Sequence, residues 1–279
     1  RSLARACRGA APGARARVAV DLALRSDVPI AVALSGGLDS STLLALLDRV
    51  HPNPTSIEAF SFAFRDPAYS ERPWVEAMAR HTGRRAHFVD MEAADFPRAA
   101  ERFVEQQEQP FAGAPLIAYG RCFELVRCRG FIVVMDGSGV DEGLAGYARF
   151  RPALWADLLS ANDEESLGRE LAAAGITTAE GRTAALALAA AAARPEADTG
   201  VGQDLSVSVR PDCLHPDFID NAARPLPHFE RPFPDNLRNL MYRELRYTKL
   251  PRALRFRDRL SLAVGTELRP AFLDHWLLA

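Results

Sequence analysis

At 279 residues, 48% of them hydrophobic, the chain can bury an ample core in one large domain or two small ones. A net charge of −2 without a long charge block excludes the basic stripe of a duplex nucleic-acid binder. No apolar run approaches the ~20 residues needed to span a bilayer, so neither nucleic acid nor membrane is expected as a partner.

The N-terminal stretch RSLARACRGAAPGARAR is basic and lacks the continuous apolar segment of a signal peptide. Residues 12–26 read as a helix leading into a strand at 28–34, followed by a helix at 40–50 and a strand at 57–64 (IEAFSFAF). A helix at 71–82, a strand at 85–90, a helix at 94–107, a loop through Gln109-Pro110-Phe111, a helix at 115–128 and a strand at 131–135 (FIVVM) come next. Strands alternating with helices of this length predict a parallel sheet with right-handed crossovers. Beyond Tyr147 the strand signal vanishes: 152–194 and 236–279 are helical in pattern, joined by a Pro-rich passage from Arg194 to Pro234. The expected division is an α/β core over 1–150 and a mainly helical part over 151–279. The four cysteines, Cys7, Cys122, Cys128 and Cys213, form no Cys-x-x-Cys pair, so buried free thiols in a reducing, cytoplasmic setting are expected.

Two loops carry chemistry. The first, LSGGLDSS at 34–41, leaves a strand through Gly36 and Gly37, which allow a tight turn and close backbone approach. Asp39, Ser40 and Ser41 then open a helix whose apolar ridge is Leu43, Leu44, Leu46 and Leu47. Strand, glycine turn and helix N-terminus together make an anion cradle. An aspartate facing a phosphate is unfavourable without a cation between them, so the segment suggests Mg²⁺. It is not a Walker-type loop, which ends in Gly-Lys-Ser/Thr. The second loop, DGSGVDEGLAGY at 136–147, repeats the logic: a buried strand, glycines, then Asp141-Glu142 entering a helix. If the two strands are neighbours, Asp39 and Asp141 converge on one crevice as a Mg²⁺ site; alternatively, Asp136, Asp141 and Glu142 only cap a turn and a helix.

SGGLDSS resembles the pyrophosphatase loop of the ATP pyrophosphatase superfamily. Together with DGSGVDEGLAGY and LPRALRFRDRLSLAVGTELRPAFLD (250–274), it resembles the synthetase domain of glutamine-dependent asparagine synthetases from about Asp21 to the chain end. The resemblance implies a parallel five-stranded sheet flanked by helices, of the adenine nucleotide alpha hydrolase type, with a helical C-terminal portion. It implies ATP and Mg²⁺: a substrate carboxylate attacks the α-phosphate, pyrophosphate leaves, and an amine displaces AMP from the acyl-adenylate. Ser35, Gly36, Gly37, Ser40 and Ser41 are then expected to hold pyrophosphate, and Asp39 and Asp141 the metal. Leu34, Phe64 and Gly137 would line adenine and ribose, although Phe64 also suits a simple core position. The implied partners are a small-molecule carboxylate and a glutaminase domain or subunit as ammonia source; the resemblance also admits a homodimer.

The sequence departs from the family in places. Asparagine synthetases usually place an acid where Ser138 stands and a serine where Asp136 stands. Ser138 and Asp136, with Arg259 of the third segment, are the candidate catalytic residues, but serine is a poor base at neutral pH. Another carboxylate is therefore in play: a sugar acid, a β-lactam precursor or a lasso peptide, as is a homologue that binds nucleotide without chemistry. A tRNA-modifying adenylating enzyme would want basic surface that is not evident. Arg255, Asp258, Arg259, Glu267 and Arg269 either face the substrate carboxylate or form an internal salt-bridge network. The family's catalytic lysine is expected beyond Ala279, with Lys249, the only lysine, as the alternative. The missing N-terminal Met and the halt in WLLA suit a piece of a longer protein, its glutaminase domain outside this chain.

Overall fold

A computed structural model of the protein describes residues 11–51, 57–109, 113–193, 215–217 and 229–278. In chain order it gives α1 (Pro12–Ala23), β1 (Ile30–Ala33), α2 (Leu38–Val50), β2 (Ile57–Phe64), α3 (Arg72–Thr82) and β3 (Ala86–Met91). There follow α4 (Asp95–Gln107), α5 (Ala114–Cys128), β4 (Val133–Asp136), α6 (Val140–Leu144), a 3₁₀ turn at Ala148–Phe150, and α7 (Arg151–Ser160). The remainder is α8 (Glu164–Ala173), α9 (Ala179–Ala192), α10 (Asn236–Arg246), α11 (Lys249–Leu262), β5 (Glu267–Pro270), a 3₁₀ turn at Ala271–Leu273 and α12 (His275–Leu278).

The five strands form one sheet in the order β3-β2-β1-β4-β5, and every neighbouring pair is parallel. The expected parallel five-stranded sheet is thus present. Alternation along the central strands sorts the core onto two faces. Ile30 and Val32 of β1 and Val133 and Met135 of β4 pack with α1, α2 and α3 through Val20, Leu43, Leu44, Leu47 and Val75. Ala31 and Val134 turn the other way, onto Phe103 of α4, Ile117, Phe123 and Val126 of α5, and Leu260 of α11. Both faces are covered, which is why these strands read as unbroken apolar runs.

Two expectations are corrected. Residues 236–279 are not helical throughout: Glu267–Pro270 is a strand, pairing Val133 with Glu267 and Asp136 with Pro270. Glu-Leu-Arg-Pro shows no period of its own, being short and exposed to half-buried, and its proline is tolerated because the strand lies at the sheet edge. Nor does the chain divide once near residue 150. One compact unit takes the chain up to Val140 and again from Pro251 onward, and the other is Asp141–Leu250. The second unit is helical, centred on Trp155, Ala156, Leu167, Leu171, Ala185 and Ala189. Cys122 is buried as expected and Cys128 is exposed, against expectation. Cys7, Cys213, Pro110, Phe111 and most of the Arg194–Pro234 passage lie outside the described residues. No helix among the described residues is long and apolar enough to cross a membrane.

Candidate functional site

The sheet order reverses direction between β1 and β4, and the crevice at their carboxyl ends is where an open α/β sheet receives a ligand. The first loop emerges there. Leu34 is buried, and its N–H donates to the Phe60 carbonyl (2.9 Å). Gly36 has φ +78°, and a Cβ on it would stand 2.7 Å from Trp74 Cβ, so both backbone and space require glycine. Helix α2 begins at Leu38 with Gly37 as N-cap, and no side chain caps it. The serines brace the turn instead: Ser35 N–H donates to Ser40 Oγ (3.1 Å), the two hydroxyls lie 3.0 Å apart, and Gly37 N–H donates to Ser35 Oγ (3.3 Å). An uncapped thirteen-residue helix with Asp39 in its first turn and half-buried Ser41 beside it leaves N-terminal polarity for an anion.

The second loop packs directly on this turn. A Cβ on Gly137 would meet the Asp39 carbonyl carbon and Ser40 nitrogen, both at 3.1 Å, so glycine there permits two loops from neighbouring strands to touch. Asp136 shares the parity of Val134, which points it to the face covered by α5 and α11. It is 4% exposed and accepts Ser138 N–H (3.1 Å), Ser138 Oγ–H (2.8 Å) and Arg257 Nη1–H (3.0 Å). Arg257 Nη1 also donates to Ser138 Oγ, Nη2 donates to Tyr119 Oη (3.1 Å), and the guanidinium lies 4.4 Å from the Tyr119 ring centre. Burial pushes the Tyr119 phenol above its ordinary pKa, the Arg257 charge pulls it down and the Asp136 charge pushes it up. The net direction is up, so Tyr119 is neutral at pH 7.

Tyr119 and Arg257 are absent from the residues the sequence singles out. The signal existed: Arg257 lies on the α11 stripe that contains buried Leu250, Leu260 and Ser261, at spacings of seven, three and four, while Arg259 lies off it. Arg259 is the candidate that the structure places elsewhere. Its Nε donates to the Gln106 carbonyl (3.1 Å) and its Nη2 pairs with Glu108 at 2.5 Å, so it neutralises the C-terminal end of α4. Glu267 and Arg269 pair with each other at 2.7 Å, which matches the salt-bridge reading.

Phe64 ends β2 at the rim of a groove of about 820 Å³ lined also by Pro67, Tyr69, Met91 and Phe96, with the Arg65–Glu92 ion pair at its edge. Phe64 and Phe96 stack at 6.5 Å. Asp141 falls in the helical unit, where its side chain fills the space a Cβ on Gly146 would need. In the same unit Tyr147 Oη donates to buried Glu142 (2.9 Å), and Lys249 Nζ donates to Tyr147 Oη (3.3 Å) and stands 3.9 Å from Glu142. Among the described residues no group of three or more His, Cys, Asp or Glu side chains forms a metal centre by itself.

A doubly wound sheet with two glycine loops abutting at its switch point defines an α/β domain with a crevice at the carboxyl ends of β1 and β4. Residues 15–279 match the asparagine synthase family, and the chain belongs to it. It is 30% identical over 129 residues to a Methanocaldococcus jannaschii protein provisionally named asparagine synthetase [glutamine-hydrolyzing] 2, covering 46% of this chain and 24% of that one. It is 31% identical over 168 residues to amidase chyE of Penicillium rubens, covering 54% and 24%. With asparagine synthetase B [glutamine-hydrolyzing] of Escherichia coli the identity is 32% over 145 residues, covering 47% and 26%. The chain therefore spans about a quarter of the length of these relatives.

Proposed function

We propose that the chain is the ATP-binding synthetase part of an amide-forming ligase that activates a carboxylate as acyl-adenylate, releases pyrophosphate and passes the acyl group to an amine. The observation that carries this reading is the uncapped N-terminus of α2, braced by Ser35 and Ser40 and closed by the abutting Gly137 loop. In it, Ser35, Gly36, Gly37, Ser40 and Ser41 hold the leaving pyrophosphate, whose growing charge the helix N-terminus favours. Leu34, Gly137 and Phe64 border adenine and ribose, and the groove beside Phe64 supplies apolar surface for a base. Asp39 would serve a hard cation as an oxygen donor, and Mg²⁺ held there would offset the charge of the phosphates. Ammonia comes from a glutaminase domain or subunit, and a cytoplasmic setting follows from ATP as co-substrate.

A carboxylate other than aspartate is favoured by one observation. Ser138 Oγ both donates to Asp136 and accepts from Arg257, and Asp136 already accepts three donors. Neither group is arranged as the proton acceptor that amination by ammonium needs. The candidate catalytic pair is thus better suited to shaping the loop, and Arg259 to closing α4.

ATP–pyrophosphate exchange with Mg²⁺ tests the reading, with aspartate and a panel of sugar acids and amino-acid carboxylates. Exchange with at least one acid is expected, with a loss of two orders of magnitude or more in Asp39→Ala. Exchange restricted to aspartate removes the second reading; no exchange in any full-length version leaves a homologue that binds nucleotide without the chemistry.

A further inference from the structure

Asp136 poses an electrostatic problem for the site just described. It is buried at the end of β4, and the next residue, Gly137, lies against the first turn of α2, where the polyphosphate is placed. A lone buried carboxylate one residue before that contact would disfavour phosphate charge, because charges there are poorly screened. Among the described residues, one cation reaches this carboxylate from far along the sequence. Arg257, its side chain 22% exposed, bridges Asp136 and Ser138 through Nη1 and is held from behind by the Tyr119 hydroxyl and ring. Burial keeps Tyr119 protonated, but the arrangement stands on geometry: three elements, β4, α5 and α11, converge on one guanidinium.

The geometry points to Arg257 as a positioning residue for polyphosphate, which cancels the charge of Asp136 and locks the second loop against the first, with Tyr119 as its support. The inference rests on the nucleotide reading and adds to it a specificity for phosphate charge. It acts through Asp136, so the two residues should have opposite effects. Removing the cation exposes the carboxylate to the phosphates; removing the carboxylate leaves the cation uncompensated beside them. A role limited to holding the fold would affect nucleoside and nucleotide alike.

Calorimetric binding of adenosine, AMP and Mg-ATP to the whole chain tests this. Arg257→Met is expected to weaken Mg-ATP about tenfold, AMP less and adenosine not at all, the loss growing with ligand charge. Asp136→Asn is expected to tighten Mg-ATP several-fold, and the double variant to return near the wild type, as a coupled pair must. Arg257→Lys, which keeps the charge, retains binding within about threefold. Equal losses for adenosine and Mg-ATP in Arg257→Met, or weaker Mg-ATP binding in Asp136→Asn, overturn the inference while leaving the nucleotide reading intact. Should Arg257→Met fail to fold, Asp136→Asn decides by its sign. A wild type that binds no Mg-ATP overturns the nucleotide reading and this inference with it.

Discussion

Cys122 is 3% exposed on α5, and burial raises its thiol from the ordinary 9.0 to about 12. The folded protein therefore holds this proton more tightly than the unfolded chain does. The resulting stability is complete below pH 9 and is lost as pH rises toward 12, with a slope of at most about 1.4 kcal/mol per pH unit. Urea unfolding repeated between pH 8 and 11 should show the decline, and Cys122→Ala should flatten it; an unchanged slope would place the alkaline sensitivity in other groups. The same burial withholds the thiolate from electrophiles. Peptide mapping after iodoacetamide should find exposed Cys128 alkylated in the native protein and Cys122 only in denaturant.

Elements in the helical unit are joined by caps as much as by apolar contact. Asp157 of α7 accepts from the backbone N–H of Asn236 (2.7 Å) and Leu237 (2.9 Å) and from Asn236 Nδ2 (2.8 Å). These are first-turn donors of α10, which its own helix cannot satisfy, and Asp235 caps a third, the Arg238 N–H, at 2.8 Å. Asp157→Ala should cost about 1–3 kcal/mol, because it leaves polar groups without a partner. Hydrogen exchange should show the amides of α10 losing protection ahead of those of β1 and β2. Uniform loss across both units would instead mean that the cap matters only through global stability.

At the scale of the whole molecule, the sheet is completed by a segment that arrives after the helical unit. β5 pairs with β4, and Arg269 within that ladder donates to the carbonyls of Ala23 (3.0 Å) and Arg25 (2.8 Å) at the end of α1. A chain ending at Gly265 should expose the β4 edge and self-associate, as unpaired strand edges do. Size-exclusion chromatography and a thermal melt would check this: a monodisperse truncated chain with an unchanged cooperative transition would show that β5 is dispensable.

How much was legible follows from these cases. Strand β2 reads at its observed limits because IEAFSFAF is buried on both faces, and β1, β3 and β4 read within two residues or so because their apolar runs carry the signal locally. The first loop was legible for the same reason: glycine and serine act on their immediate neighbours. β5 was hidden, since Glu-Leu-Arg-Pro becomes a strand only when β4 offers it an edge. The Arg257–Asp136 pair was hidden too, its partners being 121 positions apart in the chain. Thus the sequence by itself determined the α/β class, the positions of the glycine loops and the family. Only the tertiary structure decided which arginine meets the second loop and which segment closes the sheet, because both depend on contacts between residues that the chain holds far apart.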